Sequence, residues 1–89
     1  MTTHTSHPDI IKRLKRAEGH IKSIIGMLEQ GRGCLDIAQQ LQAVQSAVSN
    51  AKKTLVHDHI DHCLELQVRA DPQTAKGALK ELKEISKYL

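Results

Sequence analysis

Residues 34–70, CLDIAQQLQAVQSAVSNAKKTLVHDHIDHCLELQVRA, decide the fold, because they contain neither glycine nor proline and their apolar residues recur at helical spacing. Ile37, Leu41, Val44, Val48, Ala51 and Leu55 alternate by four and three, the pattern of one packing stripe along an α-helix. The seam continues through His59, Cys63 and Leu66, so an imidazole and a thiol stand where an apolar pair is expected. An unbroken helix of this length runs about 50 Å at 1.5 Å per residue, longer than its neighbour can cover.

Upstream, Gln30-Gly31-Arg32-Gly33 supplies the backbone freedom of a helix C-cap and turn. It ends a first helix whose stripe is Ile10, Leu14, Ala17, Ile21, Ile24 and Leu28. Ser6-His7-Pro8-Asp9 reads as the start of that helix, with Ser6 as cap, Pro8 in the first turn and Asp9 completing a capping-box-like pattern. Residues 1–7 are expected to form a flexible N-terminal arm. Downstream, Asp71-Pro72 stops the long helix and opens a third, with Ala75, Leu79, Leu82, Ile85 and Leu89 as its stripe. The expectation is an all-α, three-helix protomer with one very long central helix, a single domain over residues 1–89.

The core such a chain can build is thin. It has no Phe or Trp and a single tyrosine, Tyr88, so burial rests on Ile, Leu, Val and Ala. A lone unit of this size is marginal, and self-association is the usual remedy. No run approaches the roughly 18 apolar residues of a membrane span, and the polar N-terminus lacks the apolar segment of a signal peptide. A cytosolic protein without membrane contact is expected. In that compartment two cysteines serve as thiols, ligands or redox groups rather than as a structural disulfide.

The formal net charge is +3, unevenly spread. Residues 1–53 hold eight basic groups against four acidic ones, and residues 54–89 hold five against six. A polyanion should therefore meet the N-terminal half. Lys12, Arg13, Lys15 and Arg16 fall within five residues, with Lys22 beyond, a cluster suited to the phosphates of double-stranded DNA. Gln39, Gln40, Gln42 and Gln45 suit either base edges or water.

His59 and Cys63, four residues apart, share one helix face, and a soft sulfur beside an imidazole suits a transition metal rather than calcium or magnesium. Cys34 is the natural third ligand. A straight helix sets it about 37 Å from His59, so one chain's helix does not bring the three together. Two long helices packed antiparallel about a twofold axis do, placing Cys34 of one subunit beside His59 and Cys63 of its mate, twice per dimer. The competing reading makes Cys63 a small buried hydrophobe and His59 a core histidine. His57 and His62 read as surface or supporting groups, and His20 as a packing residue of the first helix. With no acid/base pair outside this cluster, neither an enzyme nor a small-molecule substrate is expected.

Cys34, followed 25 and 29 residues later by His59 and Cys63, lies within CLDIAQQLQAVQSAV and HDHIDHCLE, preceded by IKRLKRAEGH. This combination resembles the CsoR/RcnR family of bacterial metal-sensing repressors over nearly the whole chain. The resemblance implies an antiparallel dimer that pairs again into a tetramer, holds operator DNA in the apo form and releases it on binding metal, controlling a metal-efflux operon. It also implies that Cys34, His59 and Cys63 are the ligands, divided between subunits, and that the position of Arg13 contacts DNA. A cysteine at position 63 separates the chain from the formaldehyde-sensing branch and from the branch with histidine there.

The copper sensors of the family share the three ligands but carry a tyrosine where Gly33 stands, and relatives often have arginine where Gln45 stands. The nickel and cobalt sensors recruit a further nitrogen from the arm, for which His4 and His7 are the candidates. Ni(II) or Co(II) is therefore the favoured effector and Cu(I) the alternative. A different sensor on the same fold would use Cys34 alone as a thiol reactive toward aldehydes or sulfur species, its thiolate favoured by the N-terminal end of its helix.

Overall fold

The computed structural model describes residues 6–69 and 71–89. They form three helices, α1 (His7–Glu29), α2 (Cys34–Arg69) and α3 (Pro72–Ile85), the last followed by a single 3₁₀ turn over Ser86–Tyr88. There is no strand among the described residues. His4 and the side chain of Leu66 lie outside them.

The helix boundaries follow from local chemistry. Gly31, at φ 73°, takes the left-handed conformation after α1. Its N–H donates to the carbonyl of Leu28 at 3.1 Å and that of Arg32 to Met27 at 3.0 Å, the paired bonds of a Schellman C-cap. A side chain there would meet the steric penalty of this conformation, about 1–2 kcal/mol. The carbonyl of Gly33 then accepts from Ile37 N–H at 3.1 Å, making Cys34 the first residue of α2. At α3 the side chain of Asp71 accepts from Thr74 N–H at 2.8 Å and Pro72 fills the first position, as the sequence leads one to expect.

The chain divides into two compact units. In the first, Pro8–Lys52, Ile24 of α1 meets Ile37 and Val44 of α2, with Met27 packed against them. Ile10, Ala17 and Ala51 are buried as well. The expected stripes are therefore split by heptads. Positions 10, 17 and 24 and positions 37, 44 and 51 are buried, whereas Leu14, Ile21, Leu28, Leu41 and Val48 are 42–58% exposed. A pair of helices covers only one flank of each stripe, and residues three or four positions away turn to its open edge. His20 does more than pack: its Nε2 lies 2.6 Å from Gln40 Oε1, joining α1 to α2.

The second unit is Met1–His7 with Lys53–Leu89. Val56 and Cys63, one heptad apart, are fully buried among its described side chains. Ala78 is buried on α3, and Ala75, Leu82 and Ile85 are half-buried around it. The inner face of α3 thus runs 75, 78, 82, 85, which corrects the expected stripe. Leu79 lies about 100° further round the helix than Ala78 and is 43% exposed. Leu89 falls beyond the end of α3 and is exposed. Near the other end of this unit, the hydroxyl of Ser6 donates to Asp58 Oδ2 at 2.6 Å, although the two are 52 residues apart.

Candidate metal centre and basic cleft

His59, Cys63 and Glu81 bring one donor atom each to within 4.8 Å of one another. Helical spacing sets the first two side by side on α2, and α3 delivers the third. The Cys63 side chain is shut off from solvent, that of His59 is 19% exposed, and that of Glu81 is 60% exposed. His59 Nε2 lies 3.2 Å from Glu81 Oε1, an ion pair whenever the ring is protonated. Burial first, and the negative charge of Glu81 second, push the Cys63 thiol up from its ordinary value near 9.0. Without a cation the site therefore holds a neutral thiol, and a metal must displace its proton.

A buried thiol, an imidazole and a carboxylate in one cluster fit a transition-metal ion, the sulfur excluding the hard cations. Sequence reasoning found His59 and Cys63 and missed Glu81. The available signal was Ala78: once it marks the inner face of α3, Glu81 follows three residues later on the same side. Cys34 belongs to the other unit, where it is exposed at the first position of α2. His7 is exposed at the first position of α1. His57 is exposed and His62 half-buried.

The four clustered cations all lie on the exposed surface of α1. Lys12, Arg13 and Arg16 line a cleft of about 550 Å³ with His20 from α1 and Asn50 from α2, while Lys15 lies outside it. Arg13 Nε donates to Asp9 Oδ2 at 2.8 Å. Both partners of that pair are about half exposed, so the interaction holds the guanidinium loosely, by no more than about 1 kcal/mol.

A buried thiol next to an imidazole on an all-α scaffold, in a chain that also carries a basic cleft, is a donor set suited to a transition-metal ion. Residues 6–89 match a family described as metal-sensitive transcriptional repressors. The chain belongs to that family, whose members are repressors and not enzymes.

It is 41% identical over 58 residues to the copper-sensing transcriptional repressor CsoR of Mycobacterium ulcerans (strain Agy99), a match covering 65% of this chain and 50% of that one. Against the copper-sensing repressor CsoR of Bacillus subtilis (strain 168) it is 37% identical over 78 residues, 88% of this chain and 75% of that one. The chain thus spans about half the length of the first relative and three quarters of the second. The solved structure of the nickel-responsive transcriptional regulator InrS superposes with a TM-score of 0.82 at 27% identity, covering 100% of this chain and 99% of that one. The recognised family and the all-α, three-helix fold class therefore both stand. No helix among the described residues is long and apolar enough to cross a membrane.

Proposed function

We propose that this chain is a cytosolic repressor that holds operator DNA in its apo form and releases it when Ni(II) or Co(II) occupies a site built from Cys34, His59 and Cys63. The observation that carries this reading is the buried Cys63 thiol beside the His59 imidazole on a packing face, where an aliphatic pair would otherwise sit. Twenty-five positions of continuous helix separate Cys34 from His59, so Cys34 comes from a second subunit in an antiparallel pair. The half-exposed row Leu14, Ile21, Leu28, Leu41 and Val48 supports self-association. Completing the burial of each such side chain stabilises the assembly by about 1 kcal/mol.

Glu81 orients the metal-binding ring. Its Oε1 lies 3.2 Å from His59 Nε2, a carboxylate placed beside the ring as carboxylates beside metal-binding histidines commonly are. Nickel and cobalt prefer at least four donors, and His4 or His7 of the arm supplies the fourth. The nickel-responsive neighbour favours this choice. Cu(I), which three donors satisfy, is the second reading, favoured by the copper-sensing relatives.

Lys12, Arg13, Lys15 and Arg16 provide phosphate contacts. Metal alters DNA affinity only to the extent that the two protein states hold DNA differently, which pinning two subunits at the ends of their long helices achieves. The test is fluorescence anisotropy of an operator duplex titrated with metal. Ni(II) or Co(II) at one equivalent per chain should release the duplex from the wild type but not from Cys34→Ala or Cys63→Ala. Release from either variant at the normal metal concentration contradicts the shared site.

A further inference from the structure

Among the described residues, a hydrogen bond from the Ser6 hydroxyl to Asp58 Oδ2 holds the start of the chain to the half of α2 that carries His59 and Cys63. A hydroxyl donating to a carboxylate at 2.6 Å is a charge-assisted bond, about twice as strong as a neutral one, and it is partly shielded from water. Asp58 immediately precedes His59. Ser6 lies between His4, two positions back, and His7, one position on. Two residues of chain span at most about 7 Å, so whatever fixes Ser6 also fixes how far either histidine can range from the His59 turn.

We propose that Ser6 and Asp58 form a clasp that anchors the N-terminal arm beside His59 and so raises the local concentration of the arm's nitrogen donor at the metal. The inference rests on the reading that the arm supplies a ligand, and it adds the residue pair that makes this ligand effective. Tethering converts binding of the last donor into an intramolecular step governed by the reach of the tether. Releasing the tether lengthens that reach without removing any donor. Ser6 and Asp58 are thus positioning residues. A metal that needs the fourth donor feels their loss, and a metal satisfied by three does not.

The experiment is competition titration of the full-length protein, anaerobically, with Ni(II) and separately with Cu(I). Ser6→Ala should weaken Ni(II) binding about tenfold, Ser6→Thr, which keeps the hydroxyl, should restore it, and Cu(I) affinity should stay within about twofold throughout. Amide exchange of the metal-free protein should show residues 6–9 exchanging faster in Ser6→Ala than in the wild type. The doubly substituted His4→Ala/His7→Ala protein separates the two levels of the reading. If it loses Ni(II) affinity while Ser6→Ala binds Ni(II) normally, the clasp is overturned and the arm ligand stands. If it binds Ni(II) normally, the arm ligand falls and the clasp's role with it. Equal loss of Ni(II) and Cu(I) in Ser6→Ala also overturns the proposal, because it marks general damage to the site rather than a shortened reach.

Discussion

Among the described residues, the buried positions of α2 before Lys53 are Ile37, Val44 and Ala51, whereas after it they are Val56 and Cys63, with His59 half-buried alongside. Both stretches obey the same helical periodicity, yet the first buries aliphatic surface and the second buries groups that bind protons and metals. Aliphatic burial stabilises in proportion to area and asks nothing of its partners. A buried thiol and imidazole contribute less to folding and are useful where a ligand can complete them. The difference separates the part of the chain that holds its helices together from the part proposed to bind the ion.

Substitutions on the two sides should therefore fail differently. Cys63→Ala should lower metal affinity by more than the 10–100-fold typical of losing a supporting residue, with folding and apo DNA binding nearly unchanged. Ile24→Ala, in the aliphatic unit, should cost about 2–5 kcal/mol of stability in chemical denaturation and leave the metal preference unaltered. If Ile24→Ala changed the metal preference, or Cys63→Ala unfolded the protein, the division of labour would be wrong.

The Glu81→Gln variant sharpens the comparison from within the unit that holds His59 and Cys63. It keeps the size of the side chain but removes its charge from His59 Nε2, and affinity for Ni(II) or Co(II) should fall about 10–100-fold. Metal uptake should also be linked to pH with a definite sign. Because the Cys63 thiol is held above 9.0, it stays protonated from pH 6 to 8, and each metal bound there expels its proton. Apparent affinity should rise about tenfold per pH unit from this thiol alone, a slope that Cys63→Ala should reduce.

On the basic side the effects are smaller. Arg13→Ala should weaken operator binding across sequences and lower the salt slope by about one, with metal affinity unchanged, as gel-shift assays at several salt concentrations would reveal. The smallest effect concerns Asp71, whose carboxyl the N–H and hydroxyl of Thr74 hold below its ordinary value near 3.8. A lowered pKa makes this cap stabilising above that value, and the contribution disappears as pH falls through the folded pKa. Asp71→Asn should accordingly flatten the acid end of the stability curve, read by circular dichroism between pH 2 and 5.

Much of this architecture is legible in the sequence. The Gly31-Arg32-Gly33 turn and the Asp71-Pro72 cap mark the ends of helices through backbone chemistry that acts locally, and the i, i+4 relation of His59 and Cys63 is fixed once their helix is. Glu81 was not legible, since its approach to His59 depends on how α3 packs, and periodicity reports a face without naming its partner. The same limit hid Val56, and it hid the bond between Ser6 and Asp58. It also explains the misplaced stripe of α3: Leu79 is the more hydrophobic residue, but the small Ala78 is the buried one.

Whether two thiols from different positions of α2 meet on one metal ion, as proposed, is tested most directly by anaerobic Co(II) titration followed by absorbance. Intense thiolate-to-cobalt charge-transfer bands should saturate at one ion per chain and weaken on loss of either Cys34 or Cys63. Full-strength bands in Cys34→Ala would show that Cys63 binds without it, and the shared site would be contradicted.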